Sequence, residues 1–203
     1  MKTKLLLALC LTAAAASLHA ADSPAVGTVA PDFSVADAAG KTRTLSEFKG
    51  KYVVLEWFNP DCPFVKKHYG GGNMQKLQEE ATGKGVVWLS VDSSAAGMEG
   101  NLTADAANKI GASWKTHPTA VLLDADGKVG QAYGAKNTPH MFVVNPEGKI
   151  IYEGAIDSKA TPNAADIASS TNYVKVALDE SLAGKPVSNP NTRPYGCSVK
   201  YAK

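Results

Sequence analysis

The apolar run Tyr52-Val53-Val54-Leu55, carried on by Trp57 and Phe58 and stopped at Asn59-Pro60-Asp61-Cys62-Pro63, constrains this chain most. Such apolar density predicts a buried strand from Tyr52 to Phe58. Pro63 then opens a helix, in the first turn, where its missing N–H costs nothing. Cys62 therefore stands at a strand-to-helix turn, where the helix dipole and unpaired amides favour a thiolate. An ordinary thiol, with a pKa of about 8.5, is mostly protonated at neutral pH, and the thiolate is the nucleophile. This placement makes Cys62 the candidate attacking thiol. The alternative is a structural cysteine, a class that is mostly buried and inert.

The remaining pattern supplies a frame for that turn. Phe33-Ser34-Val35 and Thr42-Arg43-Thr44 flank Ala39-Gly40-Lys41 as a short hairpin. A helix from Pro63 to Tyr69 breaks at Gly70-Gly71-Gly72 and resumes through Met74, Leu77 and Ala81. Further strands are expected over 86–91 and 120–123, and helices over 103–113, 126–133 and 172–182. The turn Asn145-Pro146-Glu147-Gly148 joins Met141–Val144 to Lys149–Tyr152 as a second hairpin. This order predicts an α/β domain with a central mixed sheet flanked by helices, followed by an extended tail rich in Pro and Asn.

Residues 1–20 have the tripartite form of a secretory signal: Lys2 and Lys4, an apolar stretch, then Ser17-Leu18-His19-Ala20. A lipoprotein reading through Cys10 fits less well, because Leu9 stands where a small residue is expected. Without Lys2 and Lys4 the basic residues equal the 19 acidic ones. The near-neutral remainder gives no reason to expect a nucleic-acid or anionic-membrane partner. Past the signal no apolar run approaches the roughly 20 residues of a membrane span. The expected organisation is a signal over 1–20, one domain over 21–184 and a tail over 185–203, exported and periplasmic.

Export would leave two cysteines, Cys62 and Cys197, and an even count in an oxidising compartment invites a disulfide. Closing so long a loop would stabilise the domain by on the order of 5 kcal/mol in the chain-entropy model. A permanent structural bond therefore stands beside a redox-active one as a reading of this pair.

Three stretches together carry a family resemblance: Val54 to Lys66 around Cys62, Asn137-Thr138-Pro139-His140-Met141-Phe142-Val143-Val144, and Thr192 to Lys200 around Cys197. They resemble the thioredoxin-like redoxins, in particular the alkyl hydroperoxide reductase/thiol-specific antioxidant superfamily and its peroxiredoxin-like members. The resemblance implies a thioredoxin-like fold with Thr138-Pro139 as a cis-proline loop beside Cys62, and His140 near the thiol. It matches Glu56 to a buried acid that shuttles protons, although the strand alternation could equally turn Glu56 to solvent. Thioredoxin-like reductants place a second cysteine three residues after the first, where this chain has Val65. That leaves Cys197 to resolve a mixed disulfide.

The chain departs from a peroxidase pattern. Peroxiredoxins place a Thr or Ser three residues before the cysteine and draw on a distant arginine. Here Asn59 holds the first position, and beyond the signal only Arg43 and Arg193 are present, of which Arg193, in the tail near Cys197, could substitute for the distant arginine. A second class of function is metal handling, with Cys62 and His140 holding copper or zinc. Copper-delivery proteins of this fold use a second cysteine four residues on, which is Lys66 here, and His68 is badly spaced for the same helix face. His68 reads as a solvated helix residue and His117 as a loop residue.

The expected function is thiol-disulfide or peroxiredoxin-like oxidoreduction, with Cys62 attacking a disulfide or peroxide and Cys197 resolving it. Thr138, Pro139 and His140 would shape the site, with Glu56 as proton carrier. No cofactor or resident metal is needed, but a thiol reductant, protein or small molecule, must restore the dithiol. A metal-binding module and a noncatalytic domain stapled by Cys62–Cys197 remain the alternatives.

Overall fold

A computed structural model describes residues 23–202. The expected signal over residues 1–20 lies outside the described residues. Five strands form the central sheet: β3 (Val53–Trp57), β4 (Val87–Asp92), β5 (Ala120–Leu123), β7 (His140–Val144) and β8 (Ile150–Gly154). Their order is β5-β4-β3-β7-β8. β3, β4 and β5 are parallel, while β7 and β8 add the antiparallel half. The parallel strands require helical crossovers, and these cover the sheet. β1 (Ser34–Ala36) and β2 (Thr42–Thr44) form the expected hairpin outside it.

Period-2 alternation divides the core into two layers. Val54, Trp88, Met141 and Val143 face one layer with Cys62, packed against α1 (Pro63–Gly70), α2 (Asn73–Gly83), α3 (Ala104–Trp114) and α5 (Tyr173–Leu182). Val53, Leu55, Trp57, Leu89, Phe142 and Val144 face the other, covered by α4 (Lys128–Ala132) and by Phe33, Leu45 and Phe48. Trp57, Tyr133 and Phe142 fill that second layer, with ring centroids 5.2–5.4 Å apart.

Local chemistry sets the helix ends. Thr103 caps α3 by accepting from the Ala106 N–H, and Asn172 caps α5 by accepting from that of Lys175. α4 is shorter than the expected 126–133 because its first turn is tied down from outside. The Asp124 carboxylate accepts from the Val129 and Gly130 amides, and the loop before it closes through Gly127 N–H to Asp124 O. Gly72, in the left-handed region at φ 72°, makes the break between α1 and α2.

The tail is not free. Residues 190–192 lie against β8, where Glu153 N–H donates to Pro190 O and Thr192 N–H to Glu153 O. The Thr192 hydroxyl also bonds Tyr152 Oη at 2.7 Å and accepts from the Ala155 N–H at 3.0 Å. Beyond it, β9 (Cys197–Ser198) pairs antiparallel with β6 (Asn137–Thr138). Ala95 N–H donates to Lys200 O, and Tyr201 Oη to Ala135 O, fastening the end. Neither strand of this two-residue pair shows a periodic pattern in sequence.

Candidate active site

β3 delivers the chain to the turn before α1, and that turn is built by Asn59. Its side chain accepts from the Asp61 N–H and donates to Glu99 O, while Cys62 N–H donates to Asn59 O. Cys62 is the N-cap residue of α1, with Pro63 in the first turn. Its side chain is fully buried. The thiol lies 3.1 Å from Thr138 O and 2.8 Å from Cys197 Sγ. The Thr138–Pro139 peptide is cis.

Two devices bring Cys197 to this point. One is the register of β6 and β9, in which Thr138 and Cys197 are direct partners. The other is Gly196, at φ 126°, where a Cβ atom would stand 2.0 Å from Thr138 O. Only glycine permits so close an approach. Asn137 Nδ2 donates to Gly196 O and completes the clasp.

The two thiols differ in acidity. Burial raises the pKa of Cys62, but the Cys197 side chain, the Thr138 side chain and the Cys197 and Val65 amides outweigh it and hold the thiol below its ordinary value. Cys197 moves the other way: burial, the hydrogen bond with Cys62 and the Cys62 charge push it up to about 12. Of the two sulfurs, Cys62 is therefore the one that ionises first.

Glu56 is fully buried, so the solvent-facing reading of its position does not hold. Its carboxylate accepts from Tyr69 Oη and Trp88 Nε1 at 2.8 Å, Ser90 Oγ at 3.0 Å and Gln78 Nε2 at 3.3 Å. Burial outweighs these donors and raises its pKa. His140 departs from the expectation that it lies beside Cys62. Alternation along β7 turns it to the opposite layer from Met141 and Val143, and its ring packs 4.7 Å from Phe142. It faces Glu153 at 3.6 Å, and burial lowers its pKa despite that carboxylate. A Cys62–His140 metal pair therefore lacks its geometry, and among the described residues no group of three or more His, Cys, Asp or Glu is placed to hold a metal ion.

His68, expected in solvent, is instead fully buried, as is its neighbour Lys67. Lys67 Nζ pairs with Asp157 Oδ2 at 3.0 Å. His68 Nε2 lies 3.3 Å from Tyr195 Oη, and Tyr195 Oη donates to Asp157 Oδ1. Sequence reasoning missed this cluster. Phe64, Lys67 and His68 do share a helix face by spacing, but nothing local says that the tail supplies its cover.

The family model described as AhpC/TSA matches residues 26–153. The chain belongs to the AhpC/TSA family. Among curated proteins it is similar to the thiol-disulfide oxidoreductase ResA of Bacillus subtilis, 29% identical over 130 residues, which are 64% of this chain and 67% of ResA. A ResA of Geobacillus thermodenitrificans is 26% identical over 133 residues, 62% of this chain and 67% of that protein. Among solved structures, a hypothetical protein of Sinorhizobium meliloti matches with a TM-score of 0.75 at 26% identity, covering 89% of this chain and 97% of that one. The thioredoxin domain of a thiol-disulfide oxidoreductase from Bacteroides vulgatus matches with a TM-score of 0.53 at 25% identity, covering 72% and 98%. The fold is thioredoxin-like.

Within this AhpC/TSA frame, Asn59 is committed to shaping the loop. Arg43 is committed to Asp37 and Glu47, at 2.8 and 2.9 Å. Among the described residues, no helix is long and apolar enough to cross a membrane.

Proposed function

We propose that this thiol-dependent oxidoreductase reduces disulfides outside the cytoplasm through a two-cysteine cycle closed by its own tail. The observation that carries the reading is the 2.8 Å separation of Cys62 and Cys197 sulfurs, within about 1 Å of bonding distance. The Cys62 thiolate attacks one sulfur of a substrate disulfide, forming a mixed disulfide and expelling the other sulfur as a thiolate, which takes up a proton. The charge that helped to hold up the Cys197 pKa is then gone. Cys197 loses its proton and attacks Cys62 Sγ, forming the Cys62–Cys197 bond and expelling the second substrate thiolate. The substrate gains two electrons and the protein dithiol loses them. An external thiol, protein or small molecule, reverses the change.

The ResA likeness supports a disulfide as substrate, and the engagement of Asn59 and Arg43 weighs against a peroxide. The signal-like residues 1–20 support export to the periplasm, where a disulfide cycle has oxidised partners. Pro139 and Thr138 would form the wall against which substrate lies, and Glu56, buried among Tyr69, Trp88, Ser90 and Gln78, would carry the proton.

The experiment is the intact mass of the alkylated protein after equilibration in glutathione buffers of graded potential. Loss of two alkyl groups together, at a potential between about −120 and −270 mV, matches catalytic dithiols. Thiols that never pair overturn the cycle, and a bond that persists below about −300 mV makes it structural.

A further inference from the structure

Cys62 is fully buried under the tail, so the segment that supplies the resolving thiol also closes the site. Substrate must therefore meet Cys62 with the tail lifted, and resolution requires the tail to return. What holds the tail at the right place is a question separate from the chemistry of the sulfurs.

One tail side chain ties Cys197 to the helix that carries Cys62. Tyr195 stands two residues before Cys197 and rests on Phe64, Lys67 and His68, the i, i+3 and i+4 positions of α1. Its ring meets Phe64 edge-on at 5.7 Å, and Lys67 Nζ lies over the ring at 5.6 Å. Its hydroxyl enters the polar cluster beneath. Asn73 Nδ2 donates to His68 Nδ1 at 2.8 Å, which leaves the other ring nitrogen to donate to Tyr195 Oη, which donates in turn to Asp157. Lys67 Nζ completes the cluster with bonds to Asp157 Oδ2, Lys159 O and Tyr195 Oη. Two segments distant in sequence, α1 and the chain at Asp157, thus converge on the phenol of a third, the tail.

Resting on the two-cysteine cycle above, we propose that Tyr195, seated on the Lys67–Asp157 pair and His68, is a positioning residue that acts beside the β6–β9 pair and raises the effective concentration of Cys197 at Cys62. The Thr192 anchor is further along the chain from Cys197 and fixes the tail to β8, not to α1. A docked tail converts resolution into an intramolecular step whose rate follows that effective concentration. Losing the phenol hydroxyl removes the hydrogen bond that fixes the tail's angle to α1 while keeping the ring against Phe64.

The test compares wild type with Tyr195→Phe in two measurements: the glutathione equilibrium of the Cys62–Cys197 bond, and the alkylation rate of Cys62 in a Cys197→Ser background. The expected result is a loss of about tenfold in the equilibrium constant, equal to about 30 mV, together with severalfold faster alkylation. Thermal melting of each variant identifies any that fails to fold. Tyr195→Leu, which also removes the ring contact, should enlarge both changes. If the wild-type pair forms and both variants remain within twofold of it, the positioning role of Tyr195 is overturned and the cycle stands. If the wild-type pair never forms, the cycle fails and the role of Tyr195 fails with it.

Discussion

Thr138 stands directly opposite Cys197 in the β6–β9 pair, and its carbonyl oxygen lies 3.1 Å from Cys62 Sγ. One residue therefore locates both sulfurs, and the approach is possible only because Gly196 has no side chain. Gly196→Ala should separate β9 from β6, at a cost of about 1–3 kcal/mol in backbone strain and collision. Because the sheet is untouched, the expected outcome is a small change in melting temperature and at least tenfold slower resolution of a Cys62 mixed disulfide. Stopped-flow release of a chromogenic thiol measures it.

The thiols should titrate far apart. Cys62 is held below its ordinary value, and Cys197 is pushed up to about 12. Thiolate absorbance of the reduced protein should show one sulfur ionising below pH 9 and the other absent until strongly alkaline pH. Cys197→Ala removes a donor to the Cys62 thiolate and should move the first transition upward. Identical curves for the two proteins would show that Cys197 does not support the thiolate.

Glu56 accepts four buried hydrogen bonds, and removing it strands the Tyr69, Trp88 and Ser90 donors, while Gln78 Nε2 keeps its bond to Tyr69 Oη. Glu56→Leu should cost at least about 3 kcal/mol, because each buried unpaired polar group loses roughly 1–3 kcal/mol. Glu56→Gln keeps an oxygen toward Trp88 and Ser90 and should cost less than half as much. Urea unfolding separates the two. If Glu56 carries protons for the thiols, Glu56→Gln should also alter the pH profile of turnover at unchanged stability ranking.

Lys67 and Asp157 form a fully buried ion pair. Lys67→Met leaves Asp157 an uncompensated carboxylate and should destabilise the domain by about 3–5 kcal/mol. The double variant Lys67→Met/Asp157→Leu should recover much of that loss. A double-mutant cycle by urea unfolding checks the coupling.

His68 gives the fold a pH dependence of known sign. Burial, opposed by Asp157 and reinforced by Lys67, lowers its pKa from 6.5 to about 4. Between those values the unfolded chain binds a proton that the folded chain excludes, so stability is lost as pH falls through the window and levels off below it. The span corresponds to about 3 kcal/mol. Asp92, raised by burial to about 6, has the opposite sign and gains stability as pH falls. The difference in unfolding free energy between wild type and His68→Gln, measured at pH 7 and pH 4.5, isolates the histidine: it should shrink at the lower pH.

The sequence by itself determined the mixed sheet and the place of Cys62 at a strand-to-helix turn. Those features follow from local rules: the apolar density of 52–58, Pro63 at a helix start, the glycine break after Tyr69, and the turn at 145–148. Tertiary structure decided which face each polar residue takes and what covers it. Glu56 and His140 lie on neighbouring strands, Trp57 pairing with His140, yet they belong to opposite layers because alternation is fixed by register. Lys67 and His68 are buried because Asp157 and Tyr195, about 90 and 130 residues away in sequence, close over them. Cys197 reaches Cys62 through a two-residue pair too short to leave a pattern. A single sequence records the propensity of each segment, whereas these contacts depend on which distant segments the packed core brings together.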